Sequence, residues 1–224
     1  MMHTNDHKEI WETIDGRWER ALHPLIARRR STRSFSEKPV ATEKLRSILD
    51  AARWAPSSSN IQPWRFIIVT KEQPQKFQLL LNLLAEQNKV WAAKAPILIL
   101  SVAKLTNDAG DRPNKFALHD VGLASANMTF QATALGLAVH QMGGFNTEKA
   151  KTMLNIPIDF EPVTMIALGY EDTINHMPQS LRERELLPRV RKDLSEITFD
   201  GMWDHPWIVT QDQTIKFKTI TSNN

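Results

Sequence analysis

Apolar positions along this chain switch several times between helical and strand-like spacing, and the switches outline its elements. Residues 10–30 read as helix, with Pro24 in the first turn of a second helical piece that ends at Arg28-Arg29-Arg30. Leu45, Ile48, Leu49 and Ala52 repeat at helical spacing, with Thr42 as the expected cap and Pro56 as the limit. Pro56-Ser57-Ser58-Ser59-Asn60-Ile61-Gln62-Pro63 is a loop by composition, and Trp64-Arg65-Phe66-Ile67-Ile68-Val69 after it is a buried strand. Residues 75–88 return to helix through Phe77, Leu80, Leu81 and Leu84, and Ile97-Leu98-Ile99-Leu100-Ser101-Val102 is a second strand. Neither strand alternates polar with apolar, so the sheet should be covered by helices on both faces.

Residues 105–115, with Asn107, Asp108, Gly110, Asp111 and Pro113, form a polar loop long enough for a lid. Residues 118–135 predict a helix that is apolar on all sides and rich in small side chains, which belongs in an interior or between subunits. Gly136 stops it, Leu137-Ala138-Val139-His140 forms a strand running into Gly143-Gly144, and residues 163–170 give a further strand. Beyond lies a tail with Pro178, Pro188 and Pro206 and separated charged clusters. The pattern predicts helices on both faces of a sheet in one domain over residues 1–224, with a tail from about residue 175.

Composition narrows the classes. With 224 residues, 42% hydrophobic and 24% charged, the chain can bury a sizeable core. Twenty-eight Lys plus Arg against 25 Asp plus Glu leave a net charge of +3, too little for a general polyanion binder. Cysteine is absent, which removes disulfides, thiolate metal sites and a Cys nucleophile. Asp6, Glu9, Glu12 and Asp15 stand where an export segment needs an apolar run, which points to the cytoplasm. Residues 121–139 carry no charge, but Ser125, Asn127, Thr129, Gln131 and Thr133 make a membrane span unexpected.

Four constellations offer chemistry. Arg28-Arg29-Arg30-Ser31-Thr32-Arg33 suits a phosphate and equally suits a solvated helix end. The loop from Pro56 to Trp64 carries uncharged donors and acceptors that fit a heterocycle edge, or simply turns the chain. Gln141-Met142-Gly143-Gly144-Phe145 lets a flat ligand approach the backbone, although two glycines also make an ordinary turn. In Arg189-Val190-Arg191-Lys192, alternate positions place both arginines on one side if the segment is extended; a solvated charge run is the alternative.

Taken in order, Arg29-Arg30-Ser31-Thr32-Arg33-Ser34-Phe35, the loop around Ser57, Ala95-Pro96, Asp120-Val121-Gly122, Gly136-Leu137, Gly143-Gly144 and the basic residues 189–192 resemble the nitroreductase family of FMN-dependent oxidoreductases. The resemblance spans about residues 25–199. It implies an α+β fold with a mixed central sheet flanked by helices, in an intertwined homodimer with two FMN sites at the interface and the tail wrapping the dimer. It places Arg29, Arg30 and Ser31 at the phosphate, Arg33 at the pyrimidine edge, and Arg189 and Arg191 towards the same phosphate. Pro56, Ser57, Ser58 and Asn60 match a loop that reaches the flavin from the other subunit, with Gln62 nearby. Gln141, Met142, Gly143 and Gly144 match the strand end whose backbone faces N5, and Asn88 falls near the pyrimidine.

The implied activity is hydride transfer from NADH or NADPH through FMN to a small oxidised acceptor such as a nitroaromatic or quinone, by a ping-pong route. No side-chain nucleophile, metal, nucleic acid or membrane is expected to take part. Reductive dehalogenation on the same scaffold is the alternative within flavin chemistry. A nucleic-acid-binding protein is the weaker alternative from another class, because the basic clusters lie far apart in the chain.

Overall fold

The computed structural model describes residues 22–107 and 109–207. The front of the first predicted helix, the acidic residues Asp6, Glu9, Glu12 and Asp15, and Asp108 of the polar loop lie outside the described residues. Two units divide at Glu185.

The first unit is built on a four-stranded sheet in the order β1-β2-β4-β3, formed by β1 (Trp64–Thr70), β2 (Ile97–Lys104), β3 (Ala138–Met142) and β4 (Phe160–Gly169). All three strand pairings are antiparallel, so the α+β class holds while the described strands contain none of the parallel pairing that a mixed sheet implies. In β2, Leu98, Leu100 and Val102 enter one core while Ile97, Ile99 and Ala103 enter the other. In β4, Met165 and Ala167 part from Ile166 and Leu168 in the same way. The unbroken apolar runs follow from this: period-2 side chains meet hydrocarbon on either face.

One face is covered by α2 (Thr42–Arg53) and α5 (Ala117–Ala134), through Ile48, Ala52, Val121, Ala124, Met128 and Ala132. The other is covered by α3 (Pro74–Leu81) and α4 (Glu86–Ala92), through Phe77, Leu80, Leu81, Trp91 and Ala92. A short α1 (Pro24–Arg28) precedes them, and α6 (Thr147–Met153) and α7 (Gln179–Glu185) complete the unit's helices among the described residues. No helix among these residues is long and apolar enough to cross a membrane.

Two sequence expectations are corrected. Thr42 is the first residue of α2 rather than its cap; Ala41 holds the cap position with no side-chain bond. The helix expected over 75–88 is two helices, broken because residues 83–85 pair with a distant segment. Leu84 bridges Phe145, Asn146 N–H donates to the Leu83 carbonyl at 2.9 Å, and Ala85 N–H donates to the Gly144 carbonyl at 2.9 Å. These non-local bonds fix the glycine turn that follows β3.

Gly169, at the end of β4, has no room for a side chain. A Cβ there would lie 2.5 Å from Pro96 Cδ and 3.4 Å from Phe35 Cδ1. Gly169→Ala is therefore expected to lower stability by about 1–3 kcal/mol through overpacking, read as a lower urea midpoint at unchanged slope.

The second unit begins at Leu186, and none of its described residues is buried. A 3-10 turn, Leu194–Glu196, is closed by a reciprocal capping box between Asp193 and Glu196. Phe199 packs on Trp203 with ring centroids 4.7 Å apart, and Phe199 bridges Pro206.

Candidate functional site

The segment after α1 leaves the helix because Arg29 takes extended angles (φ −54°, ψ 124°). It then runs beside the chain that follows β4. Ser36 N–H donates to the Tyr170 carbonyl (2.9 Å), Phe35 bridges Glu171, and Asp172 N–H donates to the Ser34 carbonyl (3.0 Å). Thr32, Ser34 and Phe35 are buried, whereas Arg29, Arg30 and Arg33 are half-buried. The apolar and hydroxyl positions therefore anchor the segment and leave its cations at an accessible margin. A shallow cleft is lined by Arg28, Arg29, Arg30, Thr133, Gly136 and Glu171. Within it Arg29 Nη1 donates to Ser31 Oγ at 3.3 Å.

Glu185 is a residue that sequence reasoning missed. Its side chain is only 3% exposed. Oε1 accepts from Arg30 Nη2 at 2.6 Å, and Oε2 accepts from Arg33 N–H at 3.3 Å and pairs with Arg33 Nη1 at 3.6 Å. Arg30 also pairs with Glu171 at 3.5 Å. Arg30 thus shares its charge with two carboxylates. Glu37, the nearby acid in sequence, pairs instead with Lys71 and Lys94.

The middle of β3 lies next to this segment. His140 Nδ1 donates to the Thr32 carbonyl at 2.9 Å, and its ring packs on Trp91 at 4.4 Å. Burial, more than any other cause, holds the His140 imidazole below its usual pKa; the nearby Arg33 cation adds to this, and the Thr32 carbonyl and Glu185 oppose it. A histidine that stays neutral when folded contributes stability that is complete above the unfolded value near 6.5 and is lost as pH falls through the lowered folded value. Thermal melts from about pH 8 to about pH 5 should show that fall, and His140→Phe should flatten it; an unchanged slope would remove His140 as its source.

Beyond His140, Gln141 is exposed and donates weakly to Thr129 Oγ1 (3.4 Å), and Met142 is buried. Gly143 is exposed, with nothing within 4 Å of where a Cβ would stand. At Gly144 a Cβ would stand 3.0 Å from Asn88 Nδ2, which itself donates to the Gly144 carbonyl at 3.3 Å. The glycine turn thus offers open backbone on one side and is clamped on the other.

The loop after α2 adopts unusual backbone angles. Ser59, Asn60 and Gln62 have φ of 50°, 55° and 52°, the left-handed region that L-residues seldom occupy. Gln62 N–H donates to Ser57 Oγ at 3.0 Å, and Asn60 N–H to the Ser57 carbonyl at 3.0 Å. Asp120, in the first turn of α5, accepts the Ser58 N–H at 3.0 Å through Oδ2 and contacts His119 Nδ1 at 2.9 Å through Oδ1. Its carboxylate is 3% exposed. Pro56, exposed, leads into this turn.

The structure therefore brings the arginine segment beside the start and middle of β3, and ties the loop of residues 57–62 to the opposite end of α5 from the cleft. Asp120 and Thr133 mark the two ends of α5, and 13 residues separate them, about 20 Å along a helix. Arg189 and Arg191 belong to the second unit, where Arg191 Nη1 donates to the Val190 carbonyl at 2.7 Å. No cluster of metal-binding side chains occurs among the described residues.

A family model described as the nitroreductase family matches residues 26–170. The chain belongs to the nitroreductase family. Among solved structures, an oxidoreductase containing FMN shares 34% identity at a TM-score of 0.78, covering 84% of this chain and 95% of that one. A protein of Methanothermobacter thermautotrophicus, named as a candidate NADH dehydrogenase/NAD(P)H nitroreductase, is 27% identical over 76% of this chain and 88% of its own length. A nitrobenzene nitroreductase of Ectopseudomonas oleovorans is 48% identical over 55 residues, 25% of this chain and 24% of that protein.

Proposed function

We propose that this nitroreductase-family chain is an FMN-dependent oxidoreductase that takes hydride from NADH or NADPH and passes it to a small oxidised acceptor, a nitroaromatic or quinone, by a ping-pong route. The observation that carries the reading is one continuous margin in the first unit. The arginine-lined cleft at residues 28–30 is tied through Thr32 and His140 to the strand that ends in the open Gly143 backbone. A ligand with a phosphate at one end and a flat ring at the other fits such a margin, and FMN has that shape. FMN, when bound, supplies the hydride acceptance and donation at its N5, so the protein needs no nucleophile.

The roles of the side chains are those that the family resemblance implies, and charge and chemistry support them. Arg29 and Ser31 hold the phosphate, with guanidinium geometry suited to two oxygens at once. Arg33 faces the pyrimidine edge, where negative charge collects on reduction. Gln141 and Met142 carry the strand towards Gly143 and Gly144, whose backbone faces the ring. The loop of Pro56, Ser57, Ser58, Asn60 and Gln62 stands about 20 Å of helix away from the cleft of its own chain. It serves the site of a second copy, and the active form is a homodimer.

Titrating flavin-free protein with FMN while sedimenting it tests this reading. FMN should bind, raise the melting temperature by mass action and shift the population towards dimer. A monomer that holds FMN at full affinity would exclude the shared site, and a protein that does not bind FMN would exclude the function.

A further inference from the structure

We propose that Glu185 is a positioning residue that aims Arg33 and partly offsets its charge, and so sets how readily the bound flavin is reduced. The proposal rests on the reading that Arg33 lies beside the flavin's pyrimidine edge. Glu185 lies outside residues 26–170, the part of the chain that matches the family model. It stands 152 residues from Arg33 in sequence, and α7 carries it into the arginine segment.

Both carboxylate oxygens are engaged. Oε1 takes Arg30, and Oε2 takes the backbone N–H of Arg33 together with its Nη1. Backbone and side chain of Arg33 are thereby held at once, which fixes the direction in which the guanidinium leaves the chain. With 3% exposure, the Glu185 side chain is shielded from solvent, so its negative charge is poorly screened and acts on its neighbours at an effective dielectric well below that of water. A guanidinium has five donors, and Glu185 takes only one of those of Arg33 at 3.6 Å, which leaves the group the capacity to serve a ligand as well.

Two-electron reduction leaves negative charge on the flavin edge. Arg33 favours that charge and Glu185 opposes it. Glu185→Gln keeps the size and one acceptor oxygen but removes the charge, so the cation acts unopposed. The expected result is a shift of the bound flavin towards the reduced form, on the order of tenfold in the equilibrium at an effective dielectric of about 20. Glu185→Asp keeps the charge but withdraws it by one methylene, and should shift the equilibrium the same way by less.

The test measures the midpoint potential of bound FMN in the native protein, Glu185→Gln, Glu185→Asp and Arg33→Met, and the His140 titration by NMR in the flavin-free proteins. The proposal expects a more positive potential for Glu185→Gln, a more negative one for Arg33→Met, and a lower His140 titration point in Glu185→Gln because the carboxylate that raised it is gone. If Arg33→Met moves the potential and neither Glu185 variant does, the proposal is wrong while the flavin reading stands. If none of the variants moves the potential, Arg33 is not beside the flavin and both fail.

Discussion

Arg29→Ala is expected to weaken FMN binding by about ten- to a hundredfold while changing riboflavin binding by no more than about twofold. A hydrogen bond between a guanidinium and a charged partner contributes about 1.5–3 kcal/mol, and each 1.4 kcal/mol is about a factor of ten in affinity. Riboflavin lacks the phosphate, so that energy is absent from its binding. Arg29 is the arginine to choose because it lines the cleft and bonds Ser31 Oγ, a second group suited to phosphate. Arg30→Ala should act differently: it withdraws a partner from a buried carboxylate and should show first in stability. Isothermal titration with both flavins separates these outcomes. Equal losses of FMN and riboflavin in Arg29→Ala would place Arg29 away from the phosphate.

Asp120→Ala is expected to destabilise the protein by about 2–3 kcal/mol and to weaken FMN at least tenfold. The buried carboxylate accepts the Ser58 N–H, and hydrogen bonds to charged groups contribute about 1.5–3 kcal/mol. The effect on FMN has a separate cause. Three left-handed residues persist in the loop only while its surroundings hold them, and the Asp120 contact ties that loop to α5. Once it is cut, the loop samples other conformations and its polar groups reach the flavin site less often. Asp120→Asn keeps an acceptor oxygen and should lose less of both. Urea unfolding and FMN titration on the same preparations check the two parts. A folded Asp120→Ala protein with native FMN affinity would remove the loop from the site.

The sequence and the structure agree where the physics is local. β2 and β4 were legible as unbroken apolar runs because each strand is covered on both faces, and α5 was legible because its small residues suit close packing. The arginine segment was legible as a motif, but its electrostatics were not. Glu185 follows 15 residues after the end of the family match, and nothing in its own neighbourhood of sequence marks it as the partner of Arg30 and Arg33. The split between α3 and α4 was hidden for the same reason, since Leu84 answers to Phe145 rather than to the helical spacing around it. The loop's composition announced a turn, yet Ser, Asn and Gln at positive φ could not be read from residue type, and the Asp120 contact spans 62 residues. Thr42 had the chemistry of a cap and sits one position inside the helix.

The most direct test of the account is anaerobic mixing of FMN-loaded protein with NADH or NADPH, followed by addition of a nitroaromatic or quinone after the nicotinamide is exhausted. The oxidised-flavin absorbance should disappear with at least one donor and return when the acceptor is added, because a ping-pong enzyme completes its two half-reactions separately. Protein that retains no FMN on reconstitution, or whose bound flavin keeps its oxidised spectrum with both donors, would contradict it.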